Sequence, residues 1–320
     1  MICLANLALA AGLLAFEPDH GFENTNIPTW DRDNHWQDYN RLRFDLDLVN
    51  SRMEGLGAKL IIDNETIYTE RPSGLSNKTS IHRAWLEYGG DKHLLVIGRQ
   101  RIPFGVGRIW NPVDVFNPID SLSLEPGERP GTEALRYEYA ISELSGVDLT
   151  VSREKSAARV KGYLGYADLA LLAVIDNDNH RDIIGYELEG ELAGTGIELR
   201  SEGGSFHDRG SGNRYTEFIV GAEYGFANSL TLLGEYKFND ETHVDHGAIT
   251  ISCRPSVLWS LSLLSIINLD DHSTFIAPSL DYSLSDEMTL SGSVFFYHGG
   301  TDDEFGSAAD LYSLRWFVHF

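Results

Sequence analysis

The chain ends on DLYSLRWFVHF, residues 310–320, and this stretch decides how the rest is read. Tyr312, Leu314, Trp316, Val318 and Phe320 take every second position, with Ser313, Arg315 and His319 between them. That spacing gives a β-strand one apolar and one polar face. Phe317 alone departs from it, near the end of the strand.

The same period of two runs through the chain. NRLRFDLDLVN sets Leu42, Phe44, Leu46 and Leu48 against Arg41, Arg43, Asp45 and Asp47. IGYELEGEL sets Ile184, Tyr186 and Leu188 against Glu187, Glu189 and Glu191, and EALRYEY sets Leu135, Tyr137 and Tyr139 against Arg136 and Glu138. A helical stripe of comparable length is missing, so the fold reads as all-β.

Composition narrows the class. Asp+Glu number 48 against Lys+Arg 25, a net charge of −23, which excludes a cationic groove for nucleic acid. Cys3 and Cys253 cannot build a disulfide framework or a structural zinc site. A mean hydropathy of −0.21 does not exclude a transmembrane β-barrel, because only alternate residues of its strands face lipid.

Turn lengths favour the barrel. Short connections (89–93, 165–168, 192–196, 226–229, 283–287) alternate with longer polar ones (64–79, 175–182, 201–214, 238–247, 298–310). That is the pattern of periplasmic turns and extracellular loops. About seventeen strands of roughly ten residues fit between Arg41 and Phe320. Barrels of this type hold an even number. The Arg41 strand therefore needs an upward-running partner before it, and residues 5–17 are the apolar candidate. Two readings of residues 1–17 stand: a truncated signal peptide lacking its basic start, or the first strand. Residues 18–320 read as one domain, a transmembrane antiparallel up-and-down β-barrel of 16–18 strands.

In such a barrel the apolar face meets lipid and the charged face lines a wet lumen. Trp36, Tyr39, Tyr166, Tyr224, Tyr282, Tyr312 and Trp316 then suit the interfacial girdles. Arg41, Arg43, Arg83, Arg99, Arg101, Arg136, Arg159 and Lys161 come from the first half of the chain. Glu187, Glu189, Glu191, Glu198, Glu217, Glu223 and Glu235 come from the second, which predicts a basic wall facing an acidic one.

One segment breaks the rhythm. Residues 98–133 carry Pro103, Pro112, Pro118, Pro126 and Pro130 together with Phe104, Trp110 and Phe116. A long, stiff, aromatic connection is functional or packed on something, and the lumen is the available place. The expectation is a constriction or plug over 103–132, with Trp110, Asn111, Phe116 and Asn117 packing it. Its Asp114, Asp120, Glu125 and Glu128 would face the arginine wall, above all Arg99, Arg101 and Arg136.

GRQRIPFGVGRIWNPVDVFNPID followed by RPGTEALRYEY is similar to the porin-like outer-membrane barrels of Gram-negative bacteria. The matching residues are Gly98, Arg99, Gln100, Gly105, Gly107, Trp110, Asn111, Pro112, Asp114, Asn117 and Pro118, then Arg129, Gly131, Glu133, Ala134, Leu135 and Arg136. Phe320 resembles the C-terminal signature that barrel-insertion machinery reads. The resemblance implies an outer-membrane channel and names no solute.

The functional expectation is a non-enzymatic channel for small hydrophilic solutes, with no cofactor or metal, among outer-membrane lipids. The sequence leaves open a homo-oligomer. Two alternatives stand: a lipid hydrolase using wall or loop histidines, and a non-conducting adhesion or assembly barrel. His243 and His246 in NDETHVDH, Asp176, Asp178 and Asp182, and Ser313 with His298 or His319 are the side chains such chemistry would draw on. Cys253 is expected to face lipid beside Ile249 and Ile251.

Overall fold

The computed structural model describes residues 16–33 and 35–320. Its first strands are β1 (Phe16–Asp31), β2 (Trp36–Asn50), β3 (Leu56–Thr69), β4 (Gly74–Gly89), β5 (His93–Gln100) and β6 (Thr132–Ser142). Next come β7 (Ser145–Ser152), β8 (Lys155–Tyr163), β9 (Ala167–Asp176), β10 (Arg181–Glu191), β11 (Ile197–Asp208) and β12 (Arg214–Gly225). The last are β13 (Leu230–Asn239), β14 (His246–Ser256), β15 (Trp259–Asn268), β16 (Thr274–Ser285), β17 (Met288–His298) and β18 (Leu311–His319).

Each strand pairs antiparallel with its neighbours in sequence, and β1 also pairs with β18, so the 18-stranded sheet closes. Phe22 and Phe320 make the closing exchange, N–H to C=O at 2.8 and 2.9 Å. Closure matters because an open sheet would leave the backbone groups of its edge strands unpaired.

Alternation then sets facing. Leu42, Ile97, Leu135, Val160, Leu171, Ile249 and Leu314 are exposed on the outer face. Arg41, Arg43, Arg136, Arg159, Glu187 and Glu235 are buried on the inner one. On β18, Tyr312, Leu314 and Trp316 point outward as expected, Phe320 just beyond it is exposed, and Cys253 is free and half-buried on β14.

Three expectations need correction. The partner of β2 is Phe16–Asp31, mostly beyond the 5–17 segment, and residues 1–15 lie outside the described residues. The polar stretches 64–79 and 201–214 are not loops but strand ends, with Glu65 opposite Lys78 and Ser205 opposite Thr216. Among the described residues only the connections at 101–131 and 299–310 are long. Tyr39 shares the inner face with Arg41 and bonds Glu65 at 2.7 Å, so it is no part of a girdle.

The inner wall is also not uniformly polar. Leu172, Val174, Ile183 and Phe206 make one apolar patch on β9–β11, and Leu233, Ala248, Ile266, Phe275 and Phe295 make a second on β13–β17. Apolar residues facing a lumen require something to cover them.

Candidate functional site

The cover is the segment between β5 and β6, joined over the second patch by Phe305 of the 299–310 connection. Gln100 ends β5 with its buried amide donating to the Val96 and Ala134 carbonyls, and the chain then turns in. Ile102, Phe104, Val113, Val115 and Phe116 pack on the first patch, and Ile109 on the second, with Trp110 beside it. Phe104 meets Phe116 edge-on at 5.5 Å and lies 4.6 Å below the Arg159 guanidinium.

Residues 105–110 run almost without self-pairing, so their amides need acceptors. Three wall carboxylates supply them. Glu187 accepts from Gly105 (2.9 Å), and Glu202 accepts from Val106, Gly107 (2.9 Å) and Val113 (3.4 Å). Glu235 accepts from Arg108 (3.0 Å), Ile109 (3.2 Å) and Trp110 (2.8 Å). Gly105 sits at φ +83°, and a Cβ there would lie 2.6 Å from Glu202. A Cβ on Gly107 would lie 1.8 Å from the Trp110 carbonyl oxygen. Only glycine lets the backbone approach this closely.

Asn117 ties the two ends of the segment together. Its fully buried side chain accepts from Ile102 N–H (2.7 Å) and donates to the Pro130 carbonyl (2.5 Å). Asn111 donates to the Gly107 carbonyl at 3.2 Å. The returning arm crosses to the opposite wall. Glu125 binds Arg41 at 3.0 Å, and Glu128 binds Arg43 at 3.0 Å and Arg41 at 3.3 Å. Arg43 is held from behind by Asp63 at 2.7 Å. A β-bulge at His82 turns both His82 and Arg83 inward, setting His82 3.5 Å from Asp63 and 3.6 Å from Glu128.

The remaining expected site residues disperse. Arg83 bonds the His82 and Arg129 carbonyls. Arg99 stands opposite Glu133 and bonds the Ile81 carbonyl at 2.6 Å, and it lines the cavity that Arg41, His82, Glu125, Glu128 and Arg129 share. Arg101 is exposed and in no ion pair among the described residues. Arg136 pairs with Asp148 (2.6 Å) on the wall rather than with the loop. Asp120 is exposed and caps Leu122 N–H. The expected single-sign walls are therefore mixed. Asp63 and Asp148 sit among the arginines, and Arg200 sits among the glutamates, fully buried against Glu189, Glu198 and Glu223. Asp63, Asp148, Arg200 and Glu202 escaped the sequence reading, although each falls on the inward register of its strand.

At the tip of the segment the charge order is the reverse of the expected one. The cation belongs to the loop: Arg108 is exposed, 3.5 Å from Glu189 and 3.9 Å from Glu223 on the wall.

Asp114 is the loop's own buried carboxyl. It accepts from Asn117 N–H (2.9 Å) and Phe116 N–H (3.2 Å) and lies 3.4 Å from Arg129. Burial pushes it up to about 6 from an ordinary 3.8. A raised carboxyl stabilises the packed loop below the unfolded value, and that contribution is lost as pH rises through about 6. Asp114→Asn should therefore flatten the pH dependence of thermal unfolding between about 4 and 6 relative to wild type. Parallel curves for the two proteins would show that Asp114 does not titrate there.

The side chains that enzymatic chemistry would need lie apart. Ser313 is in register with Ser293, five residues from His298 on β17, about 17 Å along the strand. His246 turns to Glu304 (2.7 Å) while His243 stays with Asp240 (3.7 Å). Asp176 caps the Asp178 and Asn179 amides of its own turn.

No family model matches the chain, and no curated protein matches it. Solved structures do. Pseudomonas aeruginosa OccK5 (OpdH) matches at 9% identity over 95% of this chain and 97% of its own, with a TM-score of 0.69. Acinetobacter baumannii OccAB4 matches at 11% identity over 95% and 97%, with a TM-score of 0.61. Salmonella typhi OmpF, in complex with daunomycin, matches at 14% identity over 96% and 98%, with a TM-score of 0.55. Closure, strand number and these likenesses together show that the chain has the fold of these porins, a closed antiparallel β-barrel.

Proposed function

We propose that the protein is a bacterial outer-membrane channel through which small hydrophilic solutes diffuse, narrowed by residues 101–131. One observation carries the reading: the segment is fastened to opposite walls, by Glu187, Glu202 and Glu235 on one side and by Arg41 and Arg43 on the other. A tether that crosses the lumen and is fixed at both ends restricts passage without a moving part. The fold shared with OccK5 and OmpF supports the same reading. Charged groups beside the path, Arg108 against Glu189 and Glu223, would bias which ions pass.

Planar bilayers test this directly. The purified protein should give stepwise conductance, and a silent bilayer would overturn the channel reading. Arg108→Glu should move the reversal potential under a salt gradient toward cation preference. An unmoved potential would place the narrowest point away from Arg108.

A further inference from the structure

The ring of strands closes, but its rim is not level. β4 pairs with β5 only from Ala84 to Gly89, and after Gln100 the chain turns into the lumen. Residues 74–83 are therefore held by β3 on one side and face no strand on the other. Residues 74–79 are exposed without interruption, on both faces of the sheet.

The lower end of this gap is filled by side chains. Arg99 donates to the Ile81 carbonyl at 2.6 Å, and Arg83 donates to the His82 carbonyl at 3.2 Å and the Arg129 carbonyl at 2.7 Å. Above them the edge is bare. The Arg99 bond shows that Ile81 turns its carbonyl toward the gap. Strand alternation turns the N–H and C=O groups of Leu75, Asn77 and Thr79 the same way. None of them bonds to another backbone segment on that side among the described residues. An unpaired edge is a template for another strand.

The gap is also cationic. Lys78 and Arg101 are exposed, and neither is in an ion pair among the described residues. The Nε–H groups of Arg99 and Arg129 are buried without an acceptor. Both arginines line a cavity of about 430 Å³ that Lys78, Ser80 and Ile81 of β4 also line. The carboxylates around it are already engaged: Glu125 by Arg41, Glu128 and Asp63 by Arg43, and Glu65 by the Tyr39 hydroxyl.

We propose that the β4 edge receives an extended peptide rich in carboxylates, which adds to the wall as a strand beside Leu75, Asn77 and Thr79. Main-chain hydrogen bonds supply the attachment, and Lys78, Arg99 and Arg129 select the charge. Lysine on an edge ordinarily repels a like edge, and it attracts an acidic one by the same Coulomb interaction. A second copy fits worse, because it would set Lys78 and the arginines against themselves.

Fluorescence anisotropy on the detergent-purified barrel tests this with a short labelled peptide alternating glutamate and threonine. It should bind, more weakly as salt rises, and the same peptide with lysine for glutamate should not. Methylating one alternate set of its amide nitrogens should abolish binding while the other set tolerates it, as strand pairing requires. Asn77→Pro, which removes an edge N–H and spares the pairing with β3, should weaken binding about tenfold. Lys78→Glu should shift the preference toward the lysine peptide. Where Asn77→Pro loses the unheated gel mobility of a folded barrel, the methylated peptides on the wild-type protein decide. Equal binding of acidic and basic peptides, or binding indifferent to amide methylation, would overturn the inference. So would failure of the acidic peptide to bind, and light scattering that then reports two chains would give the edge to a second copy.

Discussion

Replacing residues 103–130 with a short Gly–Ser link should raise single-channel conductance several-fold. The reason is geometric. A ring of 18 strands is wider than its wall side chains can fill, and the segment supplies the missing volume. Its departure has a second consequence. Leu172, Val174 and Ile183, clustered with its Phe104, Val113 and Phe116, would meet water. At about 25 cal/mol per Å² the exposed apolar surface lowers the unfolding temperature, while the closed backbone ladder keeps the barrel intact. Higher conductance should therefore accompany lower thermal stability in the same variant. A conductance equal to wild type would mean that the path avoids the segment.

The sequence showed the barrel through alternation and parity, and each missed element has a physical cause. β1 hid because its pattern is inverted: Thr25, Ile27 and Thr29 are buried inside while Asn24 and Asn26 lie outside. Pro18 and Pro28 further disguise it as a linker. Polar strand ends read as loops because both their faces are polar, so alternation carries no hydropathy signal there. The inward segment was legible as an interruption, from its prolines and aromatics. What fastens it was not, because Glu202 and Glu235 acquire their role only when amides about a hundred residues earlier in the chain arrive beside them. Glu187 and Glu235, which looked like a charged pore lining, serve instead as acceptors for backbone.

Glu202→Leu should release the segment almost as fully as excising it. Glu202 is fully buried, and its carboxylate is the acceptor for Val106, Gly107 and Val113. Leucine removes that acceptor and strands three amides, at about 1–3 kcal/mol each, more than a docked loop of this size can absorb. Glu202→Gln keeps one accepting oxygen but turns an NH₂ toward the same donors, so it should fall between the two. Gly107→Ala attacks from the other side, since its Cβ must displace the Trp110 carbonyl. The informative comparison is the double change. In the excised background Glu202→Leu should alter neither conductance nor thermal midpoint appreciably, because no amides remain to be satisfied. Two changes that act through one contact cannot add. Additive losses would show that Glu202 supports the wall rather than the segment. In that case the carboxylate cradle would not be what holds the lumen narrow.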